Sequence, residues 1–222
     1  MIRVLSSLAL KGVLEKSRAD FERAAGALDV RFDATQAILA RLGQGERADL
    51  LVLTEEAMET LRKEERVAQS RVLGSSGVGL AVRAGAPRPD IGSVDALIHA
   101  LVNAGAVAHS KVGASGLYFS ELLRKLNIEH RLRKRVIVEK GPVGLVVAQS
   151  EAEIGVQQLC ELAPVPGIEI VGPLPEPLQK LTWFSAGVAA DAVDPKGAAA
   201  LLDALRSETS RKAMREGGMT PG

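Results

Sequence analysis

Ile2-Arg3-Val4-Leu5-Ser6-Ser7-Leu8 decides how the chain reads: an apolar strand runs into two hydroxyl side chains just where an amphipathic helix begins. A helix start exposes unpaired backbone N–H groups and the positive end of the macrodipole. Hydroxyls at such a junction add donors to a preformed oxyanion site. The bland alternative is that Ser6 and Ser7 only cap the helix. Leu10, Val13, Leu14, Phe21, Ala24 and Ala25 fall on one helical face and predict a helix that Gly26 stops.

The pattern repeats downstream. Strands are predicted at Val30 to Phe32 and Asp49 to Leu53, with helices from Gln36 to Leu42 and from Glu55, which together read as a parallel sheet covered by helices. Gly74 to Arg83 reads as a glycine-punctuated turn entering a strand; its glycines precede the strand, whereas a dinucleotide turn follows one. The Gly/Pro-rich stretch Ala84 to Asp90 marks departure from a first lobe. A second α/β run then has helices at Val94 to Ala104 and Gly116 to Leu126, and strands at Val107–Ala108, Val136 to Val138, Val143 to Val147 and Glu169 to Val171. Leu181 to Ala190 reads as the return strand, followed by helices at Pro195 to Leu205 and Arg211 to Glu216. The expected plan is an α/β, two-lobed molecule: lobe 1 from 1–82 and 184–222, lobe 2 from 83–183. Hinge crossings are expected near Gly79 to Ala84 and Thr182 to Ala186.

Composition narrows the ligand. Lys plus Arg number 28 against 27 Asp plus Glu, so no net field attracts nucleic acid or an anionic membrane. The basic run Arg131 to Arg135 lacks interleaved aromatics and reads as a solvated strand entry. Aromatics make up only 3% of the chain, which disfavours stacked sugars and nucleobases and leaves a small polar ligand. The single Cys160 excludes an intrachain disulfide and reads as a small core residue. No cofactor and no metal site is expected. No apolar run approaches the roughly 20 residues that span a bilayer. Met1 leads at once into a core strand, which reads as cytoplasmic, or as periplasmic if an export signal preceded it.

Six segments carry a family resemblance: Val4-Leu5-Ser6-Ser7, Gly45 to Val52, Gly113-Ala114-Ser115-Gly116-Leu117-Tyr118, Val165 to Pro175, Phe184-Ser185-Ala186-Gly187, and Gly217 to Pro221. Through them the chain resembles the type II periplasmic-binding-protein fold, within it the molybdate-binding-protein-like solute-binding family. The resemblance implies a small anion held in an interlobe cleft by Ser6, Ser7, Thr35, Ser115, Gly116 and, after Pro142, the backbone of Val143. An ABC permease partner would follow only if the chain is exported. The stretch Gly144 to Ala148, taken as the strand where molybdate binders place a tyrosine, has no hydroxyl. His109, Ser110 and Lys111, with Gln157 and Gln158 after the strand at Ile154, are added polar equipment. Lys111 and Gln157 thereby join the ligand set, since a lysine suits a carboxylate. These additions look like the branch that includes aconitate isomerase. That activity would need a base on the carbon losing a proton, for which His109, Lys111 and Glu139 are candidates. The leading expectation is a binder of an oxyanion or carboxylate; the alternative is isomerisation of an unsaturated tricarboxylate in the same cleft.

Overall fold

The computed structural model describes all 222 residues. In chain order the elements are β1 (Ile2–Ser7), α1 (Lys11–Lys16), α2 (Arg18–Ala25), β2 (Leu28–Asp33), α3 (Thr35–Gly43), β3 (Leu50–Thr54), α4 (Glu55–Lys63) and β4 (Val67–Arg83). There follow α5 (Val94–Asn103), β5 (Val107–Ser110), α6 (Ala114–Lys125), β6 (Arg135–Val138), α7 (Val143–Ala148), β7 (Ile154–Gln158), α8 (Leu159–Leu162) and β8 (Ile168–Pro173). The chain closes with β9 (Leu181–Ala189), α9 (Pro195–Ala204), α10 (Glu208–Glu216) and β10 (Thr220–Pro221). Two compact units result: Met1–Ser76 with Thr182–Gly222, and Gly77–Leu181.

In the first unit the strand order is β2-β1-β3-β9-β4, with β10 added against β4. The first three strands are parallel and β9 is antiparallel to β3. Val4 and Leu5 point to opposite faces of β1, yet both are buried, as expected of a strand covered on both sides. One face packs Leu5, Leu51 and Leu53 on Ile38, Met58 and Leu61. In the second unit β4 lies between β8 and β7, and β7, β5 and β6 follow in parallel. One side packs Leu80, Val107 and Val156 on Phe119, Leu122 and Leu123; the other packs Ala108 on Val143 and Val147.

Four expectations change. The helix predicted after Ser7 is a 3-10 turn (Leu8–Leu10) and then two helices broken at Ser17, with Ala24 exposed; Gly26 does end it, at φ 94°. Gly74 to Arg83 contains no turn, because Gly74 and Ser75 pair with β10 and the residues from Val78 pair with β7. Val143 to Val147 is helical, not a strand. Its valines mislead because Val143 and Val147, four apart, bury on one helical face, while Gly144 lets that helix sit against Val165 and Ile168. Finally, Gln157 and Gln158 end β7 rather than follow it, and both are buried. Cys160 is buried, as expected.

Candidate ligand site

In α/β sheets ligands gather outside the carboxyl ends of parallel strands. In the first unit that edge is fixed by register, with Ser7 beside Asp33 and Ser6 beside Val52. The Ser6 hydroxyl donates to the Ser7 carbonyl at 2.9 Å. The Ser7 hydroxyl, 3% exposed and leading into the 3-10 turn, has no partner. Thr35 opens α3 and its Oγ1 accepts from the Thr54 N–H at 3.4 Å; Ala34, at the N-cap, offers no side chain to the helix's first N–H groups. Glu55 is committed elsewhere, to Arg62 at 2.7 Å and to the Ser185 hydroxyl.

In the second unit the matching edge has Ser110 beside Val138, and β7 ends alongside. The Ser110 hydroxyl accepts from the Gly113 N–H at 3.0 Å and shapes the turn into α6. The first helical bond runs from the Leu117 N–H to the Gly113 carbonyl, so the N–H groups of Ala114, Ser115 and Gly116 have no carbonyl in the helix. Ser115 is buried in the first turn of α6. Gly116 is obligatory, since a Cβ there would overlap the Ser110 carbonyl. Next to this turn, Pro142 occupies the N-cap of α7, and the Val143 N–H donates to Gln157 Oε1 at 2.8 Å. The amide of Gln157 then donates through Nε2 to Glu161.

The catalytic candidates fare differently. His109 is 1% exposed, not a surface residue; its Nδ1 lies 3.0 Å from the Ser110 carbonyl and its Nε2 3.0 Å from Arg135 Nη2. Arg135 can only donate, so Nε2 accepts and Nδ1 carries the proton. Burial, with Arg135 adding to it, holds the imidazole below its usual range. Both nitrogens are engaged, and the ring stands edge-on to Phe119. Lys111 and Glu139 pair with each other at 2.9 Å, with side chains 55% and 69% exposed. Glu161 was not singled out by sequence: it lies in the first turn of α8, and Gln157 is its only hydrogen-bond partner. Burial pushes its carboxyl up to about 7. A glutamate four residues after a strand-end glutamine is the only sequence signal, and it is a weak one.

A cavity of about 390 Å³ lies at the opposite edge of the first unit, lined by Leu42, Glu46, Arg47, Arg66 and Asp191. Its charges pair among neighbours: Glu46 with Arg41, Arg47 with Asp191, Arg66 with Glu64.

The family model for bacterial extracellular solute-binding proteins matches residues 2–220. The chain belongs to that family. A curated relative, aconitate isomerase from a Pseudomonas species, is 39% identical over 231 residues, covering 99% of this chain and 87% of that protein. Among solved structures, the Azotobacter vinelandii periplasmic molybdate-binding protein superposes with a TM-score of 0.80 at 15% identity, covering 99% of each chain. The sulfate-binding protein of Mycobacterium tuberculosis gives 0.70 at 16%, covering 99% of this chain and 86% of that one. These likenesses give the family fold, the α/β type II periplasmic-binding-protein architecture. No helix is long and apolar enough to cross a membrane.

Proposed function

We propose that the chain binds a small anion at a strand-end edge: in the first unit Ser7 and Thr35 line such an edge, and in the second Ser115, Gly116 and the Pro142–Val143–Gln157 turn line another, with Lys111 as an outlying cation. The observation that carries this reading is the Ser7 hydroxyl, buried without a partner at the start of a 3-10 turn. Leaving such a group unpaired costs about 1–3 kcal/mol, a cost that a ligand oxygen would offset. Helix-start N–H groups neutralise an anion without a full countercharge, which suits a chain of net charge +1. Unfolding temperature measured against molybdate, sulfate, citrate and trans-aconitate tests it, because a ligand at about 100 times its Kd stabilises by about 2.7 kcal/mol. No shift with any of the four would sink the idea.

The 39% identical isomerase, matched along 99% of the chain, favours a second and more specific reading. The ligand would be an unsaturated tricarboxylate, and the chain would move its double bond by an allylic proton shift. Such a reaction needs donors for the carboxylates and one base, and no redox partner. Proton NMR of trans-aconitate with the purified protein in deuterated water checks this, the expected result being loss of allylic and vinylic proton signals. A wild-type protein that binds trans-aconitate yet neither exchanges nor isomerises it is a binder alone.

A further inference from the structure

We propose that Glu161, held in place by Gln157, is the group that takes the allylic proton from the substrate and returns it. The assignment rests on the isomerase reading above.

Its first support is position. Glu161 lies in the turn directly after β7, at the strand-end edge that also presents Ser115 and the Pro142–Val143 turn. A second is its partner. Glu55 faces Arg62, Glu129 faces Arg135 and Glu139 faces Lys111, each carboxylate being tied to a cation. Glu161 is held instead by a neutral amide. A third is rigidity, for Gln157 is tethered at both ends. Its Oε1 accepts from the Val143 N–H and its Nε2 donates to one Glu161 oxygen, Oε2. An amide so fixed cannot flip without losing both bonds, so the other carboxylate oxygen, Oε1, keeps its lone pairs for a proton. The carboxyl, raised to about 7 by burial, matches a group that must act as base and then as acid at neutral pH.

The step balances within the substrate. The Glu161 carboxylate removes a proton from the CH2 carbon beside the double bond. The C–H electron pair forms the new double bond, and the displaced π pair moves to the far carbon and into its carboxylate. Helix-start N–H groups hold that oxygen. Glu161, now a carboxylic acid, delivers its proton to the far carbon, so no atom or electron is gained or lost. Gln157 acts as a positioning residue.

Glu161→Gln keeps the size and the hydrogen-bonding capacity of the side chain but cannot take a proton. We expect it to lose solvent exchange of trans-aconitate protons by at least about 100-fold, within the range of general-base contributions. The stabilisation by trans-aconitate should be retained. Exchange within about threefold of wild type overturns the assignment. If the wild-type protein binds but does not exchange, the isomerase reading itself fails, and this assignment with it. Should Glu161→Gln not fold, the wild-type pH profile decides: kcat/KM should rise through about pH 7, and a flat profile from pH 5.5 to 8.5 overturns the proposal. Gln157→Leu should move that limb, whereas a merely structural role would leave it in place.

Discussion

Ser7 keeps a hydroxyl where a methyl group would serve folding better. The residue is buried, and nothing in the protein bonds the oxygen. Ser7→Ala should therefore raise stability by about 1 kcal/mol, the desolvation penalty of the lost group. It should also weaken anion affinity about tenfold, equivalent to one lost hydrogen bond of about 1.4 kcal/mol. Chemical denaturation and a binding titration on the same variant would show the two effects with opposite signs. Glu161 supplies the matching pH argument. A carboxyl raised from 4.5 to about 7 is favoured in its neutral form by the fold, so its contribution is fully present below pH 4.5 and lost as pH rises through about 7. Glu161→Gln does not titrate, so its unfolding temperature relative to wild type should climb between pH 5 and pH 8. Ser7 was legible from its place at a strand end, but Glu161 was not. Its raised affinity for a proton comes from burial among groups distant in sequence, which no local spacing encodes.

The strand-to-helix turn is the element that recurs, and its geometry depends on single small residues. At β5–α6 the Cα of Gly116 lies against the Ser110 carbonyl, and Ser110 in turn holds the Gly113 N–H. Gly116→Ala forces the helix start away from the strand and should destabilise by about 1–3 kcal/mol, the range for strained overpacking, with loss of anion binding. Thermal unfolding with and without ligand checks both. Element types were largely legible, because β1, α3, β3 and α4 each carry a clean apolar period. The Val143 to Val147 stretch was not. A five-residue valine-rich run fits either period, and its helical state is chosen by packing against β7, Val165 and Ile168.

At the scale of the whole molecule, a discontinuous first unit has to be joined across the residues that the second unit interposes. Beside the β3–β9 ladder, Asp49 adds to that join. Its carboxylate accepts the Arg3 N–H at 2.8 Å, the Val193 N–H at 2.7 Å and the Asp194 N–H at 3.1 Å. Burial alone would raise its pKa, but these three donors overcome that and hold it below 3.8. Its contribution is therefore present above about pH 4 and lost as pH falls through the lowered value. Asp49→Ala strands the three donors and should cost about 2–4 kcal/mol at pH 7, with a smaller difference from wild type at pH 3. Urea titrations at the two pH values provide the comparison.

By itself the sequence determined the α/β alternation and the placing of hydroxyls at strand ends, because periodicity and turn chemistry are properties of neighbours along the chain. Tertiary structure alone decided that the Ser7 hydroxyl has no partner, that His109 is locked between Ser110 and Arg135, and that Gln157 ties Val143 to Glu161. Those outcomes depend on which groups from distant segments come within hydrogen-bonding reach and on how far burial removes them from water. Neither quantity exists until the strands have paired.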